Sequence, residues 1–92
     1  MIIALDYDGT YTKDADLWNS FIRDARAKGH EVLIVTMRHS EGEGEEVRRH
    51  LQDKVDWIHF TSRKAKREYL SAMQIFPHIW IDDQPDFILF GA

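Results

Sequence analysis

The 92-residue chain contains no cysteine. That removes a disulfide framework, thiolate catalysis and any zinc site built on sulfur. It also fits a reducing compartment, so a cytoplasmic location is expected. Long apolar runs are missing as well. No stretch approaches the roughly 20 residues of a membrane-spanning helix. The N-terminus has no basic segment followed by an apolar one, and the first strand pattern starts at residue 2. Neither a targeting peptide nor a membrane partner is therefore expected. No tract of low complexity, internal repeat or linker interrupts the chain. An excess of positive charge is absent: 12 Lys and Arg stand against 16 Asp and Glu, a formal net charge of −4. This argues against bulk nucleic-acid binding.

What remains is an ordinary globular composition, 43% hydrophobic with three Trp and five Phe. That is too apolar for disorder, and the length means one domain over residues 1–92. The hydrophobic pattern alternates between two periods. Ile2–Leu5, Glu31–Val35, Trp57–Phe60, Ile79–Ile81 and Phe87–Phe90 read as short strands. Between them, helical spacing covers about 16–28, with Leu17, Trp18, Phe21, Ile22 and Ala25 on one face. Asp14 or Asp16 supplies its N-cap and Gly29 its end. A weaker helix follows at about 45–53, and a third at about 63–73 with Ala65, Tyr69, Leu70 and Met73 inward. Strand–helix alternation of this kind builds a parallel sheet with right-handed crossovers. Ligands bind such sheets beyond the carboxyl ends of the strands.

Chemistry gathers at those ends. The first strand runs directly into Asp6-Tyr7-Asp8-Gly9-Thr10, two carboxylates one residue apart followed by a glycine that permits a sharp turn. The fourth runs into Asp82-Asp83 in the same way. Across neighbouring strands, Asp6, Asp8, Asp82 and Asp83 form a four-carboxylate cluster that repels itself unless a cation offsets it. With oxygen ligands only, the expected ion is Mg²⁺. The five His residues show no ligand spacing. Thr36 ends the second strand, and Arg63-Lys64-Ala65-Lys66-Arg67 opens the third helix, a position that attracts anions.

Asp6-Tyr7-Asp8-Gly9-Thr10 resembles the first motif of the haloacid dehalogenase (HAD) superfamily of phosphohydrolases. Thr36, a Lys in the 63–67 cluster, and Asp82-Asp83 follow in the order of that family's remaining motifs. The resemblance spans residues 1–90. It implies a Rossmann-like three-layer α/β/α sandwich with a five-stranded parallel sheet, order 5-4-1-2-3. It implies Asp6 as the nucleophile that forms an aspartyl-phosphate, and Asp8 as general acid and then base. Thr36 is implied as a hydroxyl donor to the phosphoryl group, and Lys66, or Lys64, as the charge-neutralising lysine. Mg²⁺ falls to Asp6, Asp8, Asp82 and Asp83. Gly9, Thr10, Met37, Arg38, Arg63 and Lys64 are the expected substrate contacts, although the loop after strand two also reads as a solvated turn. Asp86 is a further acidic candidate, one residue short of the usual spacing.

The family often carries a cap domain. Here neither the five residues 11–15 nor the single helix between strands three and four leaves room for one, so an open site is expected. The expected activity is a Mg²⁺-dependent phosphomonoesterase acting on a phosphorylated small molecule, a nucleotide or a nucleic-acid end. The alternative is a non-catalytic module of this fold that binds metal or a partner. A signalling receiver domain fits worse, because strand three ends Phe60-Thr61-Ser62 without the acceptor aspartate. No helix is expected after strand five, so one sheet face is thinly covered and a homo-oligomer is possible on these grounds.

Overall fold

A computed structural model describes residues 1–92. Four parallel strands form one sheet: β1 (Ile2–Leu5), β2 (Glu31–Thr36), β3 (Trp57–Phe60) and β4 (Ile79–Ile81), in the order β3-β2-β1-β4. β1 lies between β2 and β4, with Leu5 level with both Ile34 and Ile81. Its interior residues are buried on both faces, as a central parallel strand requires. The helices are α1 (Ala15–Ala27), the short kinked α2 (Ser40–Glu43), α3 (Glu45–Leu51), α4 (Lys66–Ala72) and α5 (Asp86–Leu89).

The sheet has four strands where five were expected, because Phe87–Phe90 does not pair with β4. It belongs largely to α5 instead. Pro85 sits just before α5 at φ −63° and ψ −18°, already helical, and Phe90 N–H bonds back to the Asp86 carbonyl at 2.8 Å. A four-residue apolar run carries no decisive period, and the proline preceding it favours a helical start. The order 5-4-1-2-3 therefore becomes 4-1-2-3 read from the opposite edge.

Helices cover both faces of the sheet. On one side Ile22 and Ala25 of α1 and Val47 and Leu51 of α3 pack with Ile3, Leu5, Val32 and Ile34. On the other, Leu70 of α4 packs with Ala4, Leu33 and Val35. α1 begins where its sequence indicates: Asp14 accepts the Leu17 N–H at 3.1 Å. Gly29 takes φ +88° just past its end. The side covered by α4 and α5 is the sparser one, and Phe76, Leu89 and Phe90 each remain more than half exposed.

His59 on the edge strand β3 has an Nε2 that is buried without a partner. Burial pushes its imidazole below the ordinary value, with Glu31 opposing more weakly. The protonated form is thus favoured in the unfolded chain. Between the folded pKa and the usual value near 6.5, the unfolded state binds more protons and stability rises with pH. Acidification through that window should lower the denaturation midpoint, and His59→Phe should flatten the dependence. An identical pH slope in wild type and His59→Phe would contradict this.

Candidate functional site

Asp6 directly follows β1, and its N–H extends the β1–β4 pairing by one bond to the Ile81 carbonyl, 2.9 Å. That bond sets Asp6 beside Asp82. The chain then turns so tightly that Thr10 returns to the same carboxylates. Its hydroxyl lies 3.0 Å from Asp6 Oδ2 and 3.2 Å from Asp83 Oδ1, and it accepts the Asp83 N–H at 3.2 Å. Gly9 makes the turn at φ +83°, and a Cβ at this position would collide with the Asp83 carboxylate. A side chain at residue 9 would be strained by the backbone conformation and would push the Asp83 carboxylate out of place.

Lys66 opens α4 and is only 3% exposed. Its ammonium donates to Asp6 Oδ1 at 2.7 Å and to Asp82 Oδ2 at 2.6 Å. Of the two candidate lysines, Lys66 is the one that reaches the carboxylates. Lys64 borders a separate surface depression with Glu68 and Tyr69. Each of Asp6, Asp82 and Asp83 offers an oxygen within 4.8 Å of the others. Burial pushes the Asp6 carboxyl up to about 7, Lys66 pulls it down, and the neighbouring Asp82 adds to the rise.

One buried ammonium therefore contacts two of three converging carboxylates. The donors are all hard oxygens, and the missing side chain at Gly9 leaves Asp83 room beside Thr10. These residues suit Mg²⁺ better than a metal that prefers nitrogen or sulfur.

Asp8 stands apart from the three. Its carboxylate is gripped by Arg38, whose Nε donates to Oδ2 at 2.9 Å and Nη2 to Oδ1 at 2.8 Å. The expected cluster of four carboxylates is thus a cluster of three plus an ion pair. Asp8 still borders the cleft of about 240 Å³ above Asp6, together with Met37, Arg63, Lys66, Asp82, Asp83 and Phe87. Thr36 and Arg38 do not line that cleft. The Thr36 hydroxyl accepts the Arg38 N–H at 3.3 Å, and its carbonyl accepts the Thr61 N–H at 2.8 Å. In this geometry Thr36 holds the loop that follows it.

Arg63 overhangs the cleft. Its Nη1 donates to the Met37 carbonyl at 2.6 Å and its Nη2 to Glu43 at 2.9 Å. Both Ser62 and Arg63 have positive φ, +54° and +70°. Two consecutive left-handed residues other than glycine are strained. Backbone bonds from Arg63 N–H to Met37 and from Ala92 N–H to the Arg63 carbonyl, 2.9 and 2.8 Å, hold the turn. Asp86 lies in the first turn of α5, outside the carboxylate group.

Sequence reasoning missed four residues around Arg38. Its Nη1 donates to the Glu43 carbonyl at 2.9 Å, and Nη2 lies 3.0 Å from Glu46. The guanidinium carbon sits 5.0 Å above the Tyr7 ring. The Tyr7 hydroxyl lies 3.1 Å from Glu46 Oε2 and 2.8 Å from His50 Nδ1. The one advance signal was Tyr7 itself, since a tyrosine buried after a central strand needs a partner for its hydroxyl.

A larger depression, about 910 Å³, lies at the opposite end of the sheet near His30 and Glu31. Charges there pair across it, as Arg26 does with Asp56 at 3.3 Å, and no group of carboxylates converges. Comparison of the chain with protein-family models, with curated proteins and with solved structures finds no match.

Proposed function

We propose that the chain is a Mg²⁺-dependent phosphomonoesterase that works through an aspartyl-phosphate on Asp6, as its resemblance to the HAD superfamily implies. The observation that carries this reading is the buried contact of Lys66 with both Asp6 and Asp82 at the carboxyl ends of two neighbouring parallel strands. A carboxylate taken so far out of water, with a fixed ammonium on one oxygen, is poised for a charge-changing step.

Asp6, Asp82 and Asp83 would hold the metal, which offsets their charge and polarises the phosphoryl oxygens when bound. In the first half of the reaction an Asp6 oxygen forms a bond to phosphorus. The bond to the leaving oxygen breaks, and that oxygen takes a proton from Asp8. In the second half the Asp8 carboxylate takes a proton from water, whose oxygen bonds to phosphorus. The bond from Asp6 to phosphorus breaks, and inorganic phosphate leaves. Lys66 favours the ionised nucleophile throughout. Phosphorylated nucleotides and nucleic-acid ends are the favoured substrates, because the rim of a site without a cap carries Arg63.

One observation favours a second reading, a metal-binding module without turnover: Asp8, the acid and base of the proposed reaction, is engaged on both oxygens by Arg38. A panel of phosphomonoesters separates the two. Turnover is expected with Mg²⁺ and should vanish in chelator. Mg²⁺ should also raise the melting temperature of wild type, because it binds only the folded carboxylates, and should not do so for Asp83→Ala. Thermal stabilisation without hydrolysis of any ester would favour the binding module. No thermal effect at all would remove both.

A further inference from the structure

The Arg38 guanidinium has five N–H groups. Three donate inside the protein. Nε and one Nη2 hydrogen hold the two oxygens of Asp8, and one Nη1 hydrogen holds the Glu43 carbonyl at 2.9 Å, while the charge of Glu46 pairs with Nη2 at 3.0 Å. The Tyr7 ring lies beneath it at 5.0 Å, and Tyr7 is itself completely buried, with its hydroxyl 3.1 Å from Glu46. An arginine that binds substrate needs free donors facing the substrate. Arg38 spends its fork on Asp8 and does not border the cleft, whereas the carboxylate it grips does.

We propose that Arg38 is a positioning residue for Asp8 and not a substrate clamp, with Glu46 and Tyr7 forming the socket that fixes it. This rests on the phosphatase reading above. A fork-to-fork guanidinium–carboxylate contact fixes distance and plane together. It also presents Asp8 as the carboxylate that the second half-reaction uses. There Asp8 accepts the water proton as the water oxygen bonds to phosphorus, and the bond from phosphorus to Asp6 breaks. Asp8 is left protonated, ready to donate to the next leaving oxygen. An oxygen that carries a proton is a much weaker acceptor for Arg38, so one of the two contacts loosens at that stage while the other keeps Asp8 aimed.

Such a role predicts a kinetic signature opposite to that of a clamp. With p-nitrophenyl phosphate the leaving group departs without a proton, so the first half-reaction is spared. Arg38→Ala should slow the second half at least roughly tenfold, a part of what a general base supplies. The fraction of enzyme trapped as acyl-phosphate on acid quench should rise above that of wild type, and kcat and KM should fall together. Glu46→Ala should reproduce this more weakly, and Glu46→Gln, which keeps an acceptor, should recover most of the loss. A raised KM with unchanged kcat would make Arg38 a clamp and overturn the proposal.

A second readout does not need turnover. The Arg38 Nε–H should give a resolved, slowly exchanging NMR resonance in wild type that is lost in Asp8→Ala and weakened in Glu46→Ala. Rapid exchange in wild type would overturn the proposal even if Arg38→Ala fails to fold. Absence of any ester hydrolysis by wild type would sink the phosphatase reading and the positioning role together. A protected Nε–H in that case would mark the grip as structural.

Discussion

Asp6→Asn is expected to lower phosphomonoester turnover by at least roughly 10³-fold, because an amide of the same shape cannot act as the nucleophile. Measured in chelator, the same substitution should leave the melting temperature unchanged or raise it. Burial is what pushes the Asp6 carboxyl up to about 7. A group whose folded pKa is raised is more readily ionised when unfolded, so above the usual carboxylate range its ionisation weakens the fold. An asparagine escapes that penalty and keeps the Thr10 contact, while Lys66 retains Asp82. The pairing of outcomes is diagnostic. Retained turnover in a folded Asp6→Asn protein would remove Asp6 from the chemistry. A large fall in melting temperature would mean that the ionised pair with Lys66 is worth more than its desolvation.

Lys66→Met should be the most damaging single change to stability. Lys66, Asp6 and Asp82 are all buried, with side-chain exposures of 3%, 8% and 4%. Removing the shared ammonium leaves two carboxylates out of water without a cation, which costs about 3–5 kcal/mol in comparable buried pairs. That is a large share of the 5–15 kcal/mol typical of a whole domain. Methionine preserves most of the volume, so the loss reports charge and not a cavity. Urea denaturation at neutral pH in chelator would measure it. Adding Asp6→Asn and Asp82→Asn to Lys66→Met should restore most of the midpoint. A loss below about 1 kcal/mol, the range of exposed ion pairs, would show that water reaches the cluster and screens it.

Much of this arrangement was legible in the chain, for reasons that differ by element. β1 and β2 fall where branched apolar residues run to a polar break, since a strand buried on both faces leaves that mark, and the edge strands β3 and β4 show it more weakly. Asp14 and Gly29 fixed the ends of α1 through local backbone chemistry. Ala65 and Tyr69 bracket Lys66 on the inward side of α4 as the sequence runs, and Ala65 and Lys66 are both buried. Phe87–Phe90 was misread as a strand because four apolar residues fit either period, and Pro85 decided for the helix. The Arg38 grip left no local trace. It joins residues from β1's exit, the β2 loop and α3, up to 43 positions apart, and only the folded packing brings them together. The separation of Asp8 from the other carboxylates follows from that grip, so it was equally invisible.

The central place of β1 has a consequence for the order in which the molecule assembles. Residues 2–5 pair with β2 at a separation of about 29 positions and with β4 at about 76. As the chain emerges from its N-terminal end, β1, β2 and β3 with the helices between them can join first, through the nearer pairings. One edge of β1 then stays bare until Ile79–Ile81 arrives, because the longest loop is the slowest to close. Asp82 and Asp83 come in with that last strand. The carboxylates that Lys66 draws together therefore meet only when the sheet is complete, and binding of a divalent ion would time the final event of folding.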